Sequence, residues 1–370
     1  MTRLRHILAP WRTAGLLATA LLPALAAPPP RTDLTPDALR QAYTRAPAEW
    51  PAPWIDAGVP FVELAPAPRP PTPTARERRE ATLGARLFAD RRLSADARVA
   101  CADCHQPGHG WSVPTPVASG LGGQPGRRHP PGLHTVAARR LLDWDGRSRS
   151  LTARSLAPLT DPREMGNATL GEVLARVQAE PDHAAALRAL DGRAALTPQR
   201  LGELLAAFQR GLDRPTRFDR FLRGEHEQLG PLELRGLHLF RTKARCVNCH
   251  FGPLLSDEQF HNLGISFFGE PSQDLGRHDI TGRCEDVGRF RTASLRHVAR
   301  RPPYMHNGLF RTLRGVIHLY QRGGGEIRAR NAAEAAHPLF PCAATLSPRL
   351  QPLPLDPGEV EALLAFLRAL

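Results

Sequence analysis

The stretches 101-CADCH-105 and 246-CVNCH-250 both contain the pattern Cys-x-x-Cys-His. This pattern is the attachment signature of c-type haem, because its two sulfurs can form thioethers to the haem vinyl groups. The histidine that follows is placed to bind the iron from the proximal side. We therefore expect two covalently bound c-type haems. The residues expected to hold them are Cys101, Cys104 and His105 for the first haem and Cys246, Cys249 and His250 for the second.

A zinc ribbon built from two Cys-x-x-Cys pairs is the alternative interpretation of these four cysteines. A ribbon needs neither histidine, and its two pairs usually lie much closer together in sequence. The pattern therefore favours redox chemistry over a structural metal.

Residues 1–27 have the composition of a secretory signal peptide: a basic start, a short apolar run over 14–25 and small residues for cleavage near Ala26. An uncleaved anchor is the alternative, but the apolar run is too short to span a bilayer comfortably. No later stretch has a transmembrane pattern. We expect a periplasmic protein without a stable membrane span in its mature form, which agrees with covalent haem attachment outside the cytoplasm.

The net charge is +13, and Lys243 is the only lysine. The arginines are spread along the chain without an interleaved aromatic patch, so no nucleic-acid partner is predicted. A compositional bias toward arginine and the steering of an acidic redox partner are the remaining explanations.

Two cysteines, Cys284 and Cys342, lie outside the two motifs. An even remainder in an oxidising compartment favours a disulfide over two buried thiols.

Helical patterns dominate the chain. A capping box formed by Thr74 and Glu77 predicts the start of one helix. Within it, 84-GARLF-88 is echoed by 236-GLHLF-240, and each stretch precedes a Cys-x-x-Cys-His motif. The echo indicates an internal duplication of a small cytochrome-c-like unit. Strand patterns are scarce, so we predict a mainly α fold in which two cytochrome-c-like haem domains pack together.

Further helices are predicted over 36–44, within 170–190, from Thr197 to about Gly211, and from Asp356 onward. The segment before Thr74 is rich in proline, and we expect an extended arm that aromatic residues fix to a surface. The expected boundaries are 1–27 for the signal peptide, 28–75 for the arm, 76–212 and 213–335 for the two haem domains, and 336–370 for a C-terminal extension and helix.

Several short motifs follow one another between residues 76 and 370: 83-LGxxLF-88, 92-RLS-94, 144-WDGR-147, 164-EMG-166, 260-FHNLG-264, 290-FRTxSLR-296 and 303-PYMHNG-308. In this order they resemble the bacterial di-haem cytochrome c peroxidase and MauG superfamily. The resemblance implies periplasmic enzymes that react hydrogen peroxide at the N-terminal haem and pass electrons through the C-terminal haem.

For the first haem, the resemblance places Leu121 where many of the family's peroxidases have a histidine that caps the resting iron. Leucine cannot bind iron, so an open site is expected. Glu164 matches the distal acid that would move a proton between the peroxide oxygens; pairing with an arginine or capping a helix is its alternative role. Arg154 replaces an expected glutamine, and Pro158 falls on the distal wall. The nearby histidines that would serve as a cap instead are His109, His129 and His134, and the favoured interpretation of all three is that they are ordinary loop or surface histidines.

Trp144 matches a tryptophan that lies between the family's two haems, where an easily oxidised indole would relay an electron. A core aromatic is the alternative. For the second haem, the resemblance places the sixth iron ligand at Tyr320, fourteen residues after His306. Met305 is the other candidate. Methionine raises a haem's potential, whereas tyrosinate is expected to lower it.

The resemblance also implies a calcium ion between the haem domains, held by an asparagine side chain and backbone carbonyls. His129 falls where the asparagine is expected, and imidazole is a poor calcium ligand. The carbonyls of Arg301 and Pro303 would still be available, so calcium stays an open expectation.

The resemblance therefore implies a peroxidase that uses hydrogen peroxide and a small redox donor protein, such as a cytochrome c or a cupredoxin. The first alternative is a MauG-like enzyme that oxidises side chains of a partner protein, which Tyr320 and Leu121 favour. A non-enzymatic electron-transfer cytochrome is the second alternative, and the expected open site with Glu164 argues against it.

Overall fold

The computed structural model describes residues 33–193 and 195–370, so the signal peptide expected at 1–27 lies outside the described residues. The α-helices are α1 (Pro36–Tyr43), α2 (Ala75–Phe88), α3 (Cys101–Cys104), α4 (Leu151–Thr160), α5 (Leu170–Ala179), α6 (Pro181–Asp191), α7 (Pro198–Arg210), α8 (Arg217–Phe221), α9 (Pro231–Arg241), α10 (His278–Thr281), α11 (Leu313–Gln321), α12 (Ala332–Ala335), α13 (Phe340–Ala344) and α14 (Pro357–Leu367).

Short 3-10 turns connect these helices, at Pro47–Glu49, Arg91–Leu93, Pro107–His109, Leu121–Gly123, Val136–Ala138, His226–Gln228, Cys246–Asn248, Cys284–Asp286 and Val298–Arg300. The strands β1 (Phe260–Asn262) and β2 (Arg289–Arg291) pair antiparallel, with His261 opposite Phe290. The prediction of a mainly α chain is confirmed. Of the helices in the described part of the chain, none combines the length and the apolar character that crossing a membrane requires.

Several helices begin where the sequence predicts. Thr74 and Glu77 exchange side-chain-to-backbone hydrogen bonds, so α2 starts with the predicted capping box. Thr197 caps α7, and Asp356 caps α14. The helical region within 170–190 is divided, because Pro181 starts α6 directly after the end of α5.

The buried apolar side chains form two clusters. The first cluster is drawn from residues between Leu83 and Leu212. The second is drawn from residues between Leu39 and Leu64 and between Phe218 and Leu370. Cys101 packs against the first cluster and Cys246 against the second, so each half of the molecule carries one Cys-x-x-Cys-His motif.

Each half is also organised by a very close helix crossing. On α2, a Cβ added to Gly84 would meet the backbone carbonyl of Leu204 on α7 far inside van der Waals contact. On α9, a Cβ added to Gly236 would meet the carbonyl of Ala362 on α14 in the same way. The echoed sequences therefore occupy equivalent positions in two equivalent helix pairs, which is the structural form of the predicted duplication.

The segment before α2 packs on the second half. Trp50 is buried in the second cluster, and Phe61 packs against it. The backbone N–H of Asp56 donates to Asn248 Oδ1 at 2.7 Å, and Asn248 Nδ2 donates to the carbonyl of Trp54 at 3.0 Å. Because Asn248 stands between the two cysteines of the second motif, the segment contacts that motif directly.

Cys284 and Cys342 form a disulfide, as predicted. The bridge joins the turn at Cys284–Asp286 to α13. The chain that leaves α13 is held against β1, since Asn262 Nδ2 donates to the carbonyls of Ala343 and Thr345. The disulfide therefore helps to fix the C-terminal segment beside the second motif.

We predict that Gly84→Ala and Gly236→Ala each lower the free energy of unfolding by about 1–3 kcal/mol, because the new methyl group overpacks a helix crossing. Guanidinium titration of the holoprotein measures the loss. Gly171→Ala is the matched control: it lies on α5, where an added Cβ meets only Thr169 Oγ1 at 3.6 Å. Equal midpoints for all three variants would contradict the role of the crossings.

Candidate active site

The first motif lies in a cavity of about 480 Å³. Cys101, Cys104 and His105 all contribute to its wall. The side chains predicted for the distal side also line it: Trp144, Arg154, Pro158 and Glu164. The predicted residues gathered around this one space are up to 63 positions apart in the sequence, from Cys101 to Glu164.

His105 is oriented by the loop that follows it. Its Nδ1 lies 2.9 Å from the carbonyl oxygen of Trp111, so Nδ1 carries the proton and Nε2 is left for a metal. A ligating histidine typically donates its other nitrogen to a carbonyl or carboxylate in this way. Burial lowers the pKa of His105 to about 4, which keeps the imidazole neutral as an iron ligand requires.

The second motif lies in a separate cavity of about 210 Å³, lined by Cys246, Cys249 and His250. His250 Nδ1 is 2.9 Å from the carbonyl oxygen of Leu255, the same arrangement as at His105. The four motif cysteines are therefore divided between two cavities, which excludes the zinc ribbon. Both cavities fit a c-type haem: each presents two thiols and one neutral, pre-oriented imidazole.

One side-chain cluster beside the second motif also has the chemistry of a metal site. The ligand atoms of Cys249, Asp257 and His261 lie within 4.8 Å of one another. However, thioether formation would consume Cys249, and His261 Nε2 is already 2.9 Å from Asp257 Oδ2. The cluster is better explained as packing around the haem motif.

Glu164 and Arg154 share the first cavity but do not pair directly. Arg154 Nε donates to Asp143 Oδ1 at 2.5 Å. Burial raises the pKa of Glu164, and the nearby charge of Arg154 opposes that shift only in part. A carboxyl group with a raised pKa holds a proton more readily than an ordinary carboxylate, which suits a general acid–base group. Asp143 is a partner that the sequence motifs did not single out.

Leu121 stays out of the cavity wall as far as the described residues show. Its backbone N–H donates to the carbonyl of Glu164 at 2.8 Å, and its side chain packs over Gly166. Of the nearby histidines, His129 lines both cavities. His109 and His134 do not line the first cavity.

Trp144 lines both cavities. Its indole Nε1 donates to the carbonyl of His129 at 2.8 Å, and its own carbonyl accepts from the backbone N–H of Arg291 at 2.7 Å. The adjacent Asp145 pairs with Arg128. Contacts from both halves of the molecule therefore fix Trp144 at the boundary between the halves, with its indole between the two haem motifs.

Tyr320 and Met305 both line the second cavity. Tyr320 lies near the end of α11, and burial raises the pKa of its phenol, with Cys249 and Cys246 contributing. A phenolate at this position would therefore need a cation beside it, and the ferric iron of a bound haem would supply one. Met305 has a left-handed backbone, with φ of 74°. Both side chains are therefore available in the second cavity as iron ligands.

The residues present do not fit the implied calcium ion. Both ring nitrogens of His129 are engaged: Nε2 lies 2.8 Å from Ser112 Oγ, and Nδ1 lies 3.2 Å from the carbonyls of Thr115 and Pro116. Burial lowers the pKa of His129 to about 4. An imidazole held in this way offers no hard oxygen ligand, and the guanidinium group of Arg301 adds positive charge nearby.

Comparison with known proteins agrees with this geometry. The model of a family described as di-haem cytochrome c peroxidase matches residues 78–227. The chain is 30% identical over 341 residues to the cytochrome-c peroxidase IdrP1 of Pseudomonas sp. (strain SCT), covering 82% of this chain and 85% of that protein. It is 33% identical over 292 residues to the methylamine utilization protein MauG of Methylorubrum extorquens, covering 78% and 77% of the two chains.

Among solved structures, a MauG-like protein associated with microbial copper homeostasis superposes with a TM-score of 0.68 at 30% identity, covering 85% of this chain and 95% of that one. The diheme peroxidase BthA of Burkholderia thailandensis superposes with a TM-score of 0.67 at 24% identity, which shows a shared fold.

We predict that Cys101→Ala combined with Cys104→Ala leaves a protein with a single covalent haem, because thioethers form only at cysteines. Pyridine haemochrome absorbance per protein and haem staining of denaturing gels measure the change. The matched double variant at Cys246 and Cys249 should lose the other haem, and replacement of Cys284 and Cys342 should lose neither. Retention of both covalent haems in either motif variant would contradict the assignment.

Proposed function

The chain belongs to the di-haem cytochrome c peroxidase family, and on that premise we propose that it reacts hydrogen peroxide in the cavity of His105 and receives electrons through the cavity of His250. Its cofactors are the two c-type haems of the family. The observation that carries the proposal is that Trp144 lines both cavities while Glu164 lines the first.

Glu164 is the proposed acid–base group. Its carboxylate takes the proton of an entering peroxide and returns it to the oxygen that leaves as water. The bound haem supplies the electrons of O–O cleavage. Arg154, fixed by Asp143, holds a positive charge next to this proton transfer without neutralising Glu164 completely.

Trp144 is the proposed relay between the two cavities. Its Nε1 donates to the carbonyl of His129, which is not a base, so an oxidised indole has no acceptor for its proton at that nitrogen. The indole can then return to its starting state by taking one electron, without a coupled proton step. Electrons would come from a small redox protein or an oxidisable protein substrate.

Two features favour a MauG-like variant of this function, in which a partner protein is oxidised. Leu121 supplies no ligand to the first haem, so peroxide can enter without prior reduction. Tyr320 in the second cavity would lower that haem's potential and disfavour uptake of electrons from a mild donor. Relatives of both kinds, named cytochrome-c peroxidase and MauG, match the chain about equally well.

We also propose a periplasmic location and two working units, residues 76–212 and 213–335. The arm at 28–75 and the segment 336–370 would serve the second unit, which the shared second cluster supports.

We predict that Glu164→Gln lowers the rate of reaction with peroxide by about 100-fold or more, the usual contribution of a general acid–base group. In the wild type the rate should fall as the pH drops through the raised pKa of Glu164, because the protonated carboxyl cannot accept a proton. Stopped-flow absorbance across pH measures both effects. Asp161→Asn, at another carboxyl on the wall of the same cavity, is the control. It should keep the reaction and move the pH profile only to lower pH, because the charge of Asp161 helps to raise the pKa of Glu164. An unchanged pH profile in Glu164→Gln would contradict the assignment of Glu164 as the acid–base group.

We predict that Tyr320→Met raises the potential of the second haem, because a thioether favours ferrous iron more than a phenolate does. Spectroelectrochemical titration and ferric-state EPR measure the change. Tyr320→Phe should alter the same spectrum, whereas Met305→Ala should leave it close to wild type. If Met305→Ala changes the second haem and Tyr320→Phe does not, methionine is the ligand, and the donor-driven peroxidase becomes the better account.

A further inference from the structure

Three arginines lie between the two cavities. Arg139 lines the first cavity, and Arg291 and Arg301 line the second. Gly132 links two of them: its carbonyl accepts from Arg139 Nη2 at 3.1 Å, while an added Cβ would lie 3.1 Å from Arg301 Cδ. Arg291 Nε donates to the carbonyl of Asp143, which lines the first cavity, at 3.1 Å. The three guanidinium groups thus form one cluster.

The cluster lacks matching carboxylates. Within residues 33–193 and 195–370, neither Arg139 nor Arg301 has an ion pair, and their recorded partners are carbonyls and the Thr135 hydroxyl. Among the same residues, Arg291 has one ion-pair partner, Glu258, and its Nη1 lies 3.7 Å from Glu258 Oε1. Buried Arg301 Nε has no hydrogen-bond partner among the described atoms.

Arg128, which lines the same first cavity, has the opposite surroundings. Its guanidinium pairs with Asp145 and with Asp274, the latter at 2.6 Å. Burial alone would lower the pKa of Arg128, but these carboxylates raise it. For Arg139, burial and the charges of Arg291 and Arg301 lower the pKa to about 9. The charges of Glu258 and Asp213 oppose this shift only in part. The fold therefore gives Arg128 directly paired carboxylates and gives Arg139 only carboxylates that do not form an ion pair with it.

Three guanidinium groups that repel one another in a partly buried space need anions, because a buried charge without a partner is strongly destabilising. Each haem carries two propionates, and arginine binds carboxylates through a planar, two-pronged array of donors. We propose that Arg139, Arg291 and Arg301 bind propionates of the two haems, Arg139 on the first haem, Arg291 on the second and Arg301 at the junction of the two.

This inference rests on the two haems and is independent of the reaction with peroxide. It also accounts for the misfit of calcium. The guanidinium cluster supplies the positive charge that a calcium ion would bring to the boundary, and the ring of His129 is held by Ser112 and by carbonyls instead. The two haem motifs are then coupled by side chains of the chain itself.

The test is the potential of each haem in Arg139→Gln, Arg291→Gln and Arg301→Gln. Removal of a positive charge stabilises the ferric state, so at a fixed applied potential the ferrous-to-ferric ratio should fall roughly tenfold, the Coulomb effect of one charge at ~12 Å across an effective dielectric constant of ~20. Arg139→Gln should act mainly on the first haem, Arg291→Gln on the second and Arg301→Gln on both. Spectroelectrochemistry of the holoprotein resolves the two haems.

Arg140→Gln and Arg300→Gln are the controls, since each makes the same change at an exposed neighbour. Shifts no larger than in these controls would overturn the proposal. If a glutamine variant does not accumulate as a di-haem protein, the lysine variant decides: recovery with Lys supports a requirement for charge, and failure with both Gln and Lys assigns the site to packing and overturns the proposal.

The claim that the arginine cluster replaces calcium is tested by a separate measurement. Wild-type protein should show the same potentials and spectra after treatment with a calcium chelator and after calcium is restored. A reversible shift on chelation would overturn the replacement of calcium by arginine. Neither experiment depends on turnover. The arginine proposal can therefore fail while the peroxidase function stands, and the peroxidase function can fail while the arginine proposal stands.

Discussion

Each half of the molecule depends on a helix crossing at which only glycine fits. At Gly84 the helix α2 touches the backbone of α7, and at Gly236 the helix α9 touches the backbone of α14. Such close approach removes a layer of side chains from the crossing, so the apolar residues on either side, such as Phe88 against Phe208 and Phe240 against Phe366, meet directly. Two similar cores result, and each supports a loop that carries a haem motif.

The boundary between the halves is governed by charge. Arg128, Asp145 and Asp274 form a satisfied buried network, whose carboxylates hold the guanidinium in place. Beside it lies the cluster of Arg139, Arg291 and Arg301, which the protein alone does not neutralise. A half-satisfied polar site is costly, and it marks the place where the cofactors complete the structure. Trp144 lies next to both groups of charges, so the same residues set the electrostatic environment of this proposed relay and the packing of the two halves.

The sequence predicted the parts of this arrangement that depend on local chemistry. The capping boxes of α2 and α14, the disulfide and the repeated 84-GARLF-88 pattern need only neighbouring residues or composition to be seen. The sequence did not predict α4 or α11. Pro158 interrupts the helical pattern of α4, and Gly315 with its β-branched neighbours lowers the helix propensity of α11. The sequence also did not single out Asp143 or the arginine cluster, since an arginine without a carboxylate is a property of three dimensions. Arg291 lies within the motif 290-FRTxSLR-296, and Arg301 was considered only for its backbone carbonyl. Among the 49 Lys and Arg residues of the chain, nothing local distinguished the guanidinium groups of these three arginines.

The disulfide requires that different cysteines of the same chain be treated differently during maturation. Cys284 and Cys342 must be oxidised to each other, while the other four cysteines must stay reduced until haem reaches them. Six cysteines permit 15 complete pairings, and any bond that involves a motif cysteine blocks a thioether. The nearest partners along the chain are the wrong ones, because each motif holds its two thiols only three residues apart. The same compartment must therefore provide an oxidant for one pair and a reductant for the other two. A cell that lacks the reductant should accumulate apoprotein, whereas a cell that lacks the oxidant should attach both haems and leave Cys284 and Cys342 reduced.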